Sequence, residues 1–259
     1  MPAHTRGMRG IHVGVESSIT GISSGRGDWA RATEGDIPGE SRNRFVDSVL
    51  AWNRLNVRKG LPFGFEIGGS AGFLVNTSYW SLGLDVRWAL FEGFRAQGSS
   101  FYFPSVSVRG AVQTLLGEPE LNVTVPSLDL SVGERFIIAD TVEISPYVGA
   151  QLAWIFADTE LVDLTPERDA FTECDPDPMP VGASFSCRSG DGSDFNNDSV
   201  FPSLRSLRAR MFFGAQVRYE WFALTSAFSF DLVKPRELDE TLPNLPRQWR
   251  VDLGLGVSY

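Results

Sequence analysis

The groups in this chain that could do chemistry are two histidines, two cysteines and many charged side chains. Cys174 and Cys187 stand close together in a polar stretch, the pattern of one disulfide formed in an oxidising compartment. Between Asp158 and Val200, eleven Asp and Glu stand against Arg168 and Arg188, which accounts for the whole chain's net charge of −9. Within that stretch Asp194, Asn196 and Asp198 have the one-three-five spacing of a calcium loop, so Ca2+ is the cofactor to weigh there. Ser199 takes the place of the turn glycine, however, and Arg205 that of the bidentate glutamate. His4 and His12 lie near the start, far in sequence from these carboxylates, and no GxSxG or Cys/His nucleophile arrangement is visible. The expectation is a protein without catalytic residues.

The elements that must position these groups show a period of two, the mark of a strand with one apolar and one polar face. From Trp249 onward, Trp249, Val251, Leu253, Leu255, Val257 and Tyr259 share one face, while Arg250, Asp252, Gly254, Gly256 and Ser258 share the other. The same alternation recurs over 81–90, 142–156, 207–219 and 222–232, and less cleanly over 10–19, 44–58, 61–75, 100–115 and 121–133. In 121–133 the apolar parity changes between Val125 and Leu128, which predicts a bulge near Pro126. The reading is an all-β chain of about ten strands, within eight to twelve.

Connections and aromatic residues predict how these strands are arranged. If Tyr259 ends at one rim, the connections at that rim are near 59–62, 91–100, 133–141 and 220–221, all short. Those at the other rim, 20–43, 76–79, 116–120, 157–205 and 233–247, include every long one. Trp80, Trp154 and Trp249 then fall at the long-loop rim, and Trp88, Tyr219, Phe222 and Tyr259 at the short-turn rim. Such rings settle at the headgroup level of a bilayer. The expected fold is a closed antiparallel up-and-down transmembrane β-barrel over 1–259, one domain with a long extracellular loop at about 157–205. No stretch approaches 18 uninterrupted apolar residues, so a transmembrane helix is excluded, whereas strands that alternate faces cross with little hydropathy signal.

In that barrel the charged face turns inward. Arg54, Arg58, Arg87, Arg109, Arg208, Arg210, Arg218 and Arg250 then share the interior with Glu16, Glu66, Asp85, Asp129, Glu143, Asp231 and Asp252. Balanced charges in a narrow lumen are expected to pair. The other reading is an ion-lined conduit with Arg208 and Arg210 as anion attractors near its mouth.

The terminal alternation ending in Tyr259 resembles the C-terminal signal of small bacterial outer-membrane β-barrel proteins. The stretches KGLPFGFEIGGSAGF and SYWSLGLDVRWALFEGF look like uncharacterised members of that class. The resemblance implies outer-membrane lipid and lipopolysaccharide as surroundings, and barrel-assembly machinery that reads the last strand. Ten is also the strand count of the omptin proteases, but their Asp/His pair at the extracellular mouth has no counterpart here, since His4 and His12 fall at the opposite end. The acidic balance argues against nucleic acid. The N-terminal MPAHTRGMRGIHVG has no apolar signal core, so the export signal is expected to have been removed or to lie upstream of Met1. The functional expectation is a non-enzymatic surface-exposed structural or binding protein of the outer membrane, with a narrow porin-like channel as alternative and a membrane-embedded hydrolase third.

Overall fold

The computed structural model describes residues 10–22, 49–75, 77, 79–91, 104–117, 121–139, 141–159, 161–163, 198–200, 203–233, 236–237 and 247–259. Five of the ring's ten strands come first in the chain: β1 (Ile11–Gly21), β2 (Val49–Gly60), β3 (Phe65–Leu74), β4 (Trp80–Phe91) and β5 (Ser105–Leu116). The others are β6 (Leu121–Gly133), β7 (Val142–Thr159), β8 (Leu204–Tyr219), β9 (Phe222–Asp231) and β10 (Trp249–Ser258). Each strand lies beside the next in sequence, and β10 returns to pair antiparallel with β1, so the sheet closes. At the seam the Ile11 and Tyr259 backbones exchange hydrogen bonds, 2.8 Å from Ile11 N–H and 2.9 Å from Tyr259 N–H. Closure matters because an open edge in hydrocarbon would leave N–H and C=O groups with no partner.

Contacts divide the chain into two units, one of Met1–Ile22, Ser48–Asp158 and Ser203–Tyr259 and another of Ser23–Asp47 and Thr159–Pro202. The first is the barrel. The described part of the second is a short ladder in which Leu161–Asp163 pairs antiparallel with Asp198–Val200, Asp198 opposite Asp163.

The barrel is polar inside. Among the described residues the buried hydrophobic ones are Ala89, Tyr147, Ala153 and Ala223, while nineteen polar or charged residues are buried. Every strand face rich in Leu, Val, Ile and Phe is exposed instead, from Val13 and Val15 on β1 to Leu253, Leu255 and Val257 on β10. A water-soluble barrel would have the reverse pattern, because burying apolar surface is its main stabilising term. Here the apolar area faces outward, as it does where the surroundings are lipid.

The bulge expected near Pro126 does not occur in the ladder between β5 and β6. β5 and β6 pair without a shift from Thr114–Thr124 to Ser105–Gly133. Val125 lies opposite Gln113 and faces the lumen, so the parity change in the sequence is an apolar residue on the inner wall rather than an extra one. A slip in register does lie between β4 and β5, where Ala89 and Phe91 oppose the adjacent Ser107 and Val106. The connection at 134–141 also carries a short strand, Phe136–Ile138, folded back on the start of β7.

Candidate functional site in the lumen

The inner wall is built by register. Directly opposed residues in an antiparallel pair share a face, so charges placed opposite each other on neighbouring strands meet in the lumen. Glu66 on β3 opposes Arg87 on β4, which opposes Arg109 on β5, which opposes Asp129 on β6. This row carries anion, cation, cation, anion. The two arginines side by side would repel, and each is held by the carboxylate on its outer flank: Arg87 by Glu66 and Arg109 by Asp129. Asp129 also accepts from Gln151 Nε2 at 2.8 Å.

The other lumen charges pair as well. Arg54 binds Glu16, which also accepts from Asn56 Nδ2 at 3.3 Å. Asp231 collects three donors: Arg208 Nη1 at 2.7 Å, Arg210 Nε at 2.8 Å and the Gln248 backbone N–H at 2.9 Å. Glu143 holds Arg218 at 3.1 Å and Arg135 at 3.2 Å. Asp252 pairs with Arg250 at 3.0 Å and receives the Ser18 hydroxyl. Each of the eight arginines assigned to the interior from sequence thus has a carboxylate partner. Arg135, in the connection after β6, was not in that set because it lies beyond the alternating segment.

Arg58 and Asp85 reach each other at 3.0 Å across an intervening strand. Gly68 of β3 stands between them in register, opposite Arg58 on one side and Asp85 on the other. A Cβ on Gly68 would lie 2.5 Å from Asp85 Oδ2. Gly68→Ala should therefore displace the carboxylate and weaken the bridge, at a cost of about 1–3 kcal/mol. Urea titration of the folded barrel in detergent micelles checks this, and an unchanged midpoint would refute it.

Two of the aromatic residues that enter the lumen touch each other. Tyr147 and Phe212 pack with ring centroids 6.3 Å apart. Each lies opposite a glycine across the β7–β8 ladder, Phe212 beside Gly149 and Tyr147 beside Gly214. A Cβ at Gly149 would lie 2.3 Å from the Phe212 ring and one at Gly214 would lie 2.8 Å from the Tyr147 ring, so the small residue makes room for the ring. The alternation over 142–156 puts Tyr147 on the face of Glu143 and Gln151, and that over 207–219 gives the apolar Phe212 the parity of Arg208 and Arg210. The large-opposite-small complementarity would have found the pair only with the register in hand.

Among the described residues the lumen holds a cavity of about 220 Å³ and a smaller one of about 50 Å³. Glu16, Asn56, Arg58, Arg87, Thr225 and Gly254 line both and form the partition between them. His12 lies in the smaller one, with its Nδ1 3.0 Å from Ser258 Oγ, at the rim where the short turns are.

On the outer face Trp80, Trp88, Tyr219, Phe222, Trp249 and Tyr259 are exposed and Trp154 is half-buried. Trp88 stacks on Phe65 at 5.3 Å, and Tyr219 and Phe222 flank the tight turn at Glu220–Trp221. Trp221 is exposed there too, an addition to the expected rim. Cys174, Cys187, Asp194, Asn196 and His4 lie outside the described residues, and Asp198 is described only as the first residue of its short strand. The expected disulfide and calcium loop are therefore not among the features described.

No protein-family model matches the chain. No curated protein matches it either. Among solved structures it is similar to the N-terminal β-barrel domain of Pseudomonas aeruginosa OprF, at 11% identity and a TM-score of 0.33 over 98% of this chain and 100% of that one. It is also similar to neisserial surface protein A, at 12% identity and TM-score 0.32 over 96% and 97%. The KdgM porin gives 7% identity and TM-score 0.31 over 95% and 99%. Overlays this loose are no more than a likeness; the architecture stands on the strand pairing and the burial pattern. By those two features the chain is a closed antiparallel ten-stranded barrel of the transmembrane kind, apolar outward and charged within.

Proposed function

We propose that this protein is a non-enzymatic integral outer-membrane barrel whose lumen is filled by its own ion pairs, and whose acidic loop segments serve a structural or binding role at the cell surface. The observation that carries this reading is the pairing of the interior charges wall to wall, with the partition at Arg58, Arg87 and Glu16 lying between the two cavities. A solute would have to break desolvated ion pairs to pass. Lipid would cover the outward apolar face, with lipopolysaccharide beside the loops and assembly machinery reading Trp249–Tyr259.

A second reading, a narrow ion conduit, draws on the same two cavities, which share six lining residues. Planar-bilayer recording separates the two. The filled-lumen reading expects no steady open-channel current from the purified barrel, and a steady current would overturn it in favour of the conduit.

A further inference from the structure

We propose that the larger lumen cavity is a binding site for a small inorganic oxyanion of the phosphate or sulfate type. The proposal goes beyond the structural role above and does not require the barrel to conduct. It rests on how the ion pairs present themselves to the void. In three of the pairs the carboxylate is tucked against the wall while the guanidinium projects inward, whereas Arg58–Asp85 and Arg54–Glu16 show no such bias. In the Arg250–Asp252 pair the arginine side chain is 31% exposed and the aspartate 10%. In Arg109–Asp129 the values are 22% and 7%, and in Arg210–Asp231 they are 17% and 0%.

A guanidinium offers five N–H donors in a rigid fork, and one carboxylate does not engage them all. The cavity face at the Arg250 and Arg210 pairs is therefore rich in donors and poor in acceptors, and the Arg109 side chain adds positive charge beside it. Asp231 is further shared, neutralising Arg208 as well as Arg210, so that corner holds two cations on one anion. Six arginines line the cavity, against the four carboxylates of Glu16, Asp85, Asp129 and Asp252. An oxyanion carries several lone pairs at the spacing of a guanidinium fork, and charge-assisted bonds of this kind are the strong ones. A void of about 220 Å³ suits a small anion rather than an extended ligand.

The test is calorimetric titration of inorganic phosphate into the folded barrel, in detergent micelles and a buffer free of other oxyanions. Saturable one-site binding is expected, weakened at least about tenfold by Arg250→Gln and by Arg109→Gln. Arg218→Gln, a lumen arginine that does not line the cavity, should stay within about twofold of the parent. Heat-modifiable gel migration shows which variants are folded, and Asp252 keeps its Ser18 hydrogen bond in Arg250→Gln. A phosphocholine detergent, whose phosphate is tethered to a chain, should leave the isotherm unchanged. The proposal is overturned if the parent barrel shows no saturable binding, or if Arg218→Gln loses as much as the cavity variants. It also fails if the phosphocholine detergent abolishes the signal, which would place the anion at the lipid-facing rim.

Discussion

Glu66→Gln is expected to destabilise the folded barrel by about 3–5 kcal/mol, the range for removing one partner of a buried ion pair. Both Glu66 and Arg87 are buried, and Arg87 stands directly opposite Arg109. Without the Glu66 carboxylate two neighbouring guanidiniums keep a single flanking anion, Asp129, and like charges opposed on adjacent strands repel. The double variant Glu66→Gln/Arg87→Met should recover most of the loss, because it removes the charge that would be stranded. Urea unfolding of parent, both single variants and the double variant closes the thermodynamic cycle. A Glu66→Gln midpoint within error of the parent, or a double variant as unstable as the sum of the singles, would show that the row does not act as a unit.

The second large effect is on the outside. Leu253 lies midway along β10 and is exposed, with its neighbours Val251 and Leu255 on the same face. On a water-facing surface, Leu253→Arg would change stability by no more than about 0.5 kcal/mol. Facing the middle of a bilayer, it should cost about 2–4 kcal/mol, falling towards zero for the same change near the rims. Folding equilibria in lipid vesicles measure this directly. A cost below about 0.5 kcal/mol at Leu253 would falsify the lipid-facing assignment.

Much of this architecture was legible because each strand sorts its residues into an apolar and a polar face, and β10 does so without a break from Trp249 to Tyr259. What alternation alone leaves open is which face is inside; the aromatic rims and loop lengths point to the charged face, and the burial of Glu66, Arg87 and Asp231 makes it plain. The interior charges could be named from parity, since parity places a residue on a face. Their partners could not, since partners depend on register between strands distant in sequence, as with Glu16 and Arg54 or Asp85 and Arg58. Parity also misled where the inner wall is locally apolar. Val125 looks like the start of a bulge and Phe212 stands at odds with its parity, because the rule equates apolar with outward. The slip at Ala89–Phe91 shows in the sequence only as the adjacent apolar Leu90 and Phe91, both exposed, at the end of the alternating run.

The seam between β1 and β10 bears on how this fold is reached. Its partners, such as His12 and Ser258, are 246 residues apart in sequence, so joining them requires closing a loop of nearly the whole chain. Such a contact is entropically the most expensive and forms late. Until it does, β1 and the last strand added each present a bare edge, open to pairing with another copy. Sealing the seam should therefore be the slow event of assembly, and weakening it should slow maturation more than it lowers the final stability.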